Sequence, residues 1–182
     1  LQGICNGVRR AHPTLQWRYL SGEEFTNEFM LGFRDNRLDQ FRARFRHVDV
    51  LLIDDIPFIA IKRATQEEFL HMFNAIDGMG KAVVLTSDRH PHAFTEMSES
   101  ILNRLISGLV VEIAPPDFAT RREILHRRVS LLGLDLADSV VDFVAQHVSR
   151  NVRELEGALH RLVALSSLTQ NRIDIETARR SL

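Results

Sequence analysis

The chain has 182 residues, 45% of them hydrophobic and 26% charged, with a formal net charge of -1, which suits one domain or one domain plus a small satellite. That balance excludes a whole-molecule attraction to nucleic acid, so any DNA contact must come from a local patch. Cys5 is the single cysteine, which excludes an internal disulfide and fits a reducing cytoplasm; no apolar run approaches a membrane span and no signal peptide opens the chain.

Residues 1–10 place Leu1, Ile4, Cys5 and Val8 on one face of a helix, so the chain reads as an excerpt that begins inside an element. His12-Pro13 stops that helix, and residues 15–20 alternate around Trp17 and Tyr19 as a strand. Ser21 with Glu24 forms a capping box for a helix whose apolar face is Phe25, Phe29, Met30 and Phe33. A short basic helix over 38–45 follows; the basic run Arg42, Arg44 and Arg46 reads as a solvated face, with contact to a DNA backbone as the alternative.

Residues 48–55, VDVLLIDD, are the stretch around which the rest is organised. A continuous apolar run of this length reads as a strand buried on both faces, as in a parallel sheet flanked by helices. Asp54 and Asp55 then lie at its carboxyl end, where open α/β sheets bind ligands. Two carboxylates there carry a large desolvation cost unless balanced, and a hard cation such as Mg²⁺ holding nucleotide phosphates balances them. A solvated strand-to-turn ending is the plain alternative.

Beyond the loop at 56–64, Thr65-Gln66-Glu67-Glu68 reads as a second capping box, opening a helix with Phe69, Met72, Phe73 and Ile76 inward. Residues 81–86 form another apolar strand ending in Ser87, Asp88 and Arg89. A helix over 101–106 and a fourth strand over 109–113 complete an α/β half with a mainly parallel sheet. Pro115-Pro116 marks a boundary, after which only helices are expected, over 118–132, 137–147 and 152–168, with a last one opening near Asp174. The eight histidines show no metal-ligand spacing.

In chain order, SGEEFTNEF, VDVLLIDDI, TQEEFLHMFNA, LTSDRHP, APPD and NVRELEGAL resemble the AAA+ module of bacterial DnaA-type replication initiators. The resemblance implies an AAA+ P-loop NTPase core over residues 1–114 and an all-helical lid over 115–182. It implies ATP and Mg²⁺ as cofactors, with Asp54 holding the metal and Asp55 orienting the attacking water. Asp88, with Ser87 beside it, matches the sensor 1 position. Arg104 matches the arginine finger that reaches a neighbouring subunit's nucleotide, although Leu105 and Ile106-Ser107 depart from the family pattern. Arg153 matches sensor 2, with Asn151 capping its helix and Gly157 allowing close packing. Met30 and Lys62 match positions that line single-stranded DNA; the third is Ala64 where the family has arginine, with Arg63 displaced by one.

The implied function is an ATP-dependent replication initiator that assembles as a filament on origin DNA and opens its strands, with hydrolysis as the reset. Implied partners are a second copy, origin DNA, and the replicative helicase or its loader. The alternative is a regulatory paralogue or helicase loader acting on the initiator or clamp. The family's phosphate loop, GxxxxGK[ST], does not occur in these 182 residues, so the excerpt alone is expected to be inactive. The family's duplex-DNA-binding domain would follow the lid.

Overall fold

The computed structural model describes residues 1–169 and 173–181. The chain divides into two compact units, Leu1–Val111 and Glu112–Leu182. In the first, the order is α1 (Gln2–Ala11), β1 (Trp17–Ser21), α2 (Gly22–Arg34), α3 (Leu38–Ala43), β2 (Val50–Asp54), α4 (Pro57–Ala60), α5 (Arg63–Asp77), β3 (Ala82–Leu85), a 3₁₀ turn (Pro91–Ala93) and α6 (Glu99–Ser107).

The strands form a parallel sheet in the order β1-β2-β3, with Ser21 opposite Asp54 and Ile53 opposite Leu85. Parallel strands require a crossover between them, which the helices supply. In β2, Leu51 and Ile53 join a core with Leu20, Phe25, Phe41, Phe69 and Ile76, while Val50 and Leu52 face a second cluster with Cys5 of α1. The strand is therefore buried on both faces, which is the physical reason for its continuous apolar run. Each such side chain contributes about 1.5–3 kcal/mol on burial. Phe25 meets Phe41, Phe45 and Phe69 edge-on at 5.5, 6.2 and 6.0 Å.

The Ser21 capping box forms as the sequence suggests. Ser21 Oγ accepts the Glu24 N–H at 3.0 Å, and the Glu24 carboxylate accepts the Ser21 N–H at 2.7 Å. This cap starts α2 directly at the end of β1, beside the carboxyl end of β2.

Several expectations fail. Helix α5 begins at Arg63, so Thr65 lies inside it rather than at its cap, and Thr65 Oγ1 is buried without a hydrogen-bond partner. Glu68, the expected box partner, is taken by Arg42 in a bidentate pair at 2.8 and 2.7 Å. Arg42 is thus a structural cation, and Arg44 reaches Glu28 at 3.1 Å, so these two do not form a purely solvated face. Phe33 is 63% exposed and belongs to the surface, its ring tilted against that of Phe29 at 6.2 Å. The loop at 56–64 contains the short helix α4.

The fourth strand over 109–113 is also absent. Those residues pair with no strand among the described residues, and Leu109 and Ile113 are 92% and 91% exposed. Apolar composition does not make a strand without a neighbouring ladder to satisfy its backbone.

The second unit is helical among the described residues: α7 (Phe118–Leu131), α8 (Asp138–His147), α9 (Val152–Thr169) and α10 (Ile175–Ser181). Leu125, Val140, Val144, Leu155, Leu159 and Leu162 form its core. No helix among the described residues is long and apolar enough to cross a membrane.

Candidate functional site

At the carboxyl end of the sheet, β2 turns sharply. Asp55 adopts a left-handed conformation, φ +61°, which aspartate tolerates better than most residues. The turn fits because Gly22 lies against it; a Cβ on Gly22 would sit 2.5 Å from the Asp55 carbonyl oxygen. Glycine is therefore required by contact at this position.

Asp54 is half-buried and bracketed by hydroxyls from both neighbouring strands. Tyr19 of β1 donates its hydroxyl to Asp54 Oδ2 at 3.0 Å, and Thr86, just after β3, donates to Oδ1. The same Thr86 oxygen accepts the Asp55 N–H at 3.1 Å. Hydrogen bonding to the Asp54 carboxylate, with burial adding to it, raises the Tyr19 hydroxyl above its ordinary pKa. Asp55 itself is exposed.

The other sequence candidates take different positions. Ser87 and Asp88 follow Thr86 directly but are exposed. Ser87 Oγ accepts the Arg89 N–H at 3.2 Å, while both Asp88 oxygens accept from the Arg89 guanidinium at 2.9 and 3.0 Å. That hydrogen-bonded pair holds the Asp88 carboxyl below the usual aspartate range. Arg104 lies on α6, half exposed, 3.5 Å from Asp77 at the end of α5.

Arg153 belongs to the second unit, in the first turn of α9. Asn151 caps that helix, accepting the Glu154 N–H at 2.8 Å and donating to its carboxylate at 3.2 Å. Glu156 pairs with Arg128. Neither acid is held by Arg153, which is exposed. Gly157 is not needed for close packing: a Cβ there would meet only the Arg161 guanidinium, at 3.8 Å.

Met30 lies partly exposed on α2, which packs against α4. Lys62 follows α4 and precedes α5, and Arg63, 93% exposed at its side chain, pairs with Glu67 at 3.1 Å. The structure thus gathers Asp54 and Asp55 with Thr86, Tyr19 and Gly22, three residues that sequence reasoning did not single out for function. The available signal was a hydroxyl within or just past each flanking strand, Tyr19 in the middle of β1 and Thr86 one residue beyond β3.

The donor set fits a hard cation. Carboxylate oxygens suit Mg²⁺, and a carboxylate oxygen has lone pairs enough to accept a hydroxyl and meet a cation as well. No group of three or more His, Cys, Asp or Glu that could hold a metal occurs among the described residues. Two carboxylates with ligand phosphates and water would therefore have to complete the coordination.

Residues 1–112 match the family model of the bacterial DnaA ATPase domain, and residues 119–179 match that of the Hda lid domain. The chromosomal replication initiator protein DnaA of Thermomicrobium roseum is 46% identical over 178 residues, covering 98% of this chain and 38% of that protein. The chain thus spans about two fifths of the length of the curated relatives it matches. Domain III of the Thermotoga maritima replication initiation protein DnaA superposes with a TM-score of 0.93 at 34% identity, covering 100% of this chain and 76% of that one. A replication initiator DnaA bound to AMPPCP and single-stranded DNA gives a TM-score of 0.76 at 31% identity, over 86% of this chain and 48% of that one.

Proposed function

The chain belongs to the bacterial DnaA ATPase-domain family, and from that premise we propose that its full-length protein is a cytoplasmic, ATP-dependent replication initiator. It assembles on origin DNA, promotes strand opening and is reset by ATP hydrolysis. The observation that carries this reading is the Asp54–Asp55 pair at the carboxyl end of the central strand, with Asp54 held by two hydroxyls. Residues 1–114 act as the nucleotide-binding core and 115–182 as the lid.

In this reading Asp54 holds Mg²⁺, directly or through water, and Asp55 orients the attacking water from its fixed turn. The cation supplies charge neutralisation across the nucleotide phosphates. Asp88 or Ser87 senses the terminal phosphate once the Arg89 pairing opens. Arg153 grips phosphate from the lid, and its exposed guanidinium leaves it available for that contact. Arg104 acts across a subunit boundary on a neighbour's nucleotide. Met30, Lys62 and Arg63 contact single-stranded DNA, with Arg63 serving for the basic residue absent at Ala64. The relative bound to AMPPCP and single-stranded DNA supports both ligand classes. The replicative helicase or its loader is a further partner.

Arg104→Ala tests the assembly step. We expect monomer ATP affinity to stay near the parent value while ATP-dependent assembly, followed by sedimentation, is lost. A large drop in monomer affinity would instead put Arg104 in its own subunit's pocket.

A second reading, a regulatory paralogue acting on the initiator or clamp, draws on the match of residues 119–179 to the Hda lid. Origin-DNA binding by the full-length protein separates the two: sequence-specific duplex binding supports the initiator, and its absence supports the paralogue.

A further inference from the structure

We propose that Thr86 is a positioning residue that sets the geometry of both carboxylates at the end of β2. The inference rests on the assignment of Asp54 to the metal.

Thr86 touches four consecutive residues. Its N–H donates to the Ile53 carbonyl at 3.0 Å, and its carbonyl accepts from the Ile56 N–H at 3.0 Å. Between these two backbone bonds, its hydroxyl donates to Asp54 Oδ1 and accepts from the Asp55 N–H at 3.1 Å. A hydroxyl has one proton to donate and lone pairs to accept, so this single oxygen satisfies both neighbours with complementary roles. The proton fixes the orientation of the Asp54 carboxylate. The lone pair fixes the peptide that carries Asp55 into its left-handed turn.

The backbone bonds survive substitution by any residue that keeps its N–H, valine and serine included, whereas the two side-chain bonds need the hydroxyl. Valine has nearly the shape of threonine and can make neither. A partner that orients a metal-holding carboxylate tunes affinity without touching the metal, and its loss typically weakens metal binding about 10–100-fold. Thr86 thereby couples the two aspartates: the residue that aims Asp54 also sets where the Asp55 side chain leaves the backbone.

The test uses the full-length protein with AMPPCP as nucleotide and Mn²⁺ as the probe metal, counting free Mn²⁺ by electron paramagnetic resonance. Thr86→Val should weaken Mn²⁺ binding about tenfold or more, Thr86→Ser should keep the parent affinity, and metal-free AMPPCP affinity should be unchanged in both. Parent Mn²⁺ affinity in Thr86→Val, with loss in Asp54→Asn, would overturn the role of Thr86 alone. Unchanged Mn²⁺ affinity in Asp54→Asn would overturn the metal assignment, and the Thr86 role with it. Loss of metal-free AMPPCP binding or of the cooperative melt in Thr86→Val would make the residue structural and equally overturn the proposal.

Discussion

Two neighbouring strands of one parallel sheet end in carboxylates, and the two are held in different ways. Asp54, at the end of β2, takes hydroxyls from Tyr19 and Thr86, 35 and 32 residues distant in the chain. Asp88, just past β3, takes both its bonds from Arg89, the next residue. Asp54 is therefore placed by the sheet itself and cannot turn without disturbing two strands. Asp88 is placed by one half-exposed side chain and would be released if that side chain found another partner. A fixed carboxylate suits holding a cation, and a releasable one suits sensing a ligand.

The strongest way to break this contrast is through Gly22, whose missing Cβ admits the Asp55 carbonyl. Gly22→Ala should destabilise the first unit by about 1–3 kcal/mol, because the 2.5 Å approach forces backbone rather than a flexible side chain to move. An unchanged thermal melt would show that the strand end yields without cost to a Cβ at residue 22. Arg89→Ala should move the melt far less, since that pair is about half exposed and its guanidinium meets the core at the Phe94 ring, 5.5 Å from the centroid.

A smaller effect sharpens the Asp54 side. Tyr19 is the single tyrosine of these 182 residues, so tyrosinate absorbance of this 182-residue chain reports it alone. Its folded midpoint should exceed the ordinary value of 10.0, chiefly through the hydrogen bond to Asp54. Because the folded pKa is raised, the contact contributes fully below pH 10.0 and is lost as pH rises through the folded midpoint. Asp54→Asn removes the charge and should bring the midpoint back towards 10.0. A midpoint that ignores Asp54→Asn would place the hydroxyl elsewhere.

The smallest effect belongs to Asp88. Its carboxyl should titrate below the ordinary 3.8 in a carbon-13 spectrum and return towards it in Arg89→Ala. The sign follows from the depressed folded pKa: the contribution is present above the unfolded value and fades as pH falls through the folded one. An Asp88 midpoint indifferent to Arg89→Ala would erase the local half of the contrast.

How far the sequence carries this picture depends on the range of each interaction. Burial on both faces shows in the unbroken apolar run of β2, and the caps at Ser21 and Asn151 are set by residues three positions apart. The family resemblance gathered the aspartates and the three arginines into one reading. Thr86 and Tyr19 stayed hidden because their partner lies more than 30 residues away and appears only once the strands are in register. The false capping box at Thr65 failed for the same reason, since Glu68 answers to Arg42, 26 residues upstream. Residues 109–113 have strand composition but no partner ladder, and composition alone cannot reveal that.

The central claim is that the carboxyl end of β2 is the hydrolytic end of an ATP site. The direct measurement is ATP binding and hydrolysis by the full-length protein beside its Asp55→Asn variant, at saturating Mg²⁺. Binding should stay near the parent value while hydrolysis falls about 100-fold or more, the usual scale for losing a group that acts on the attacking water. Hydrolysis by Asp55→Asn at the parent rate would contradict the account.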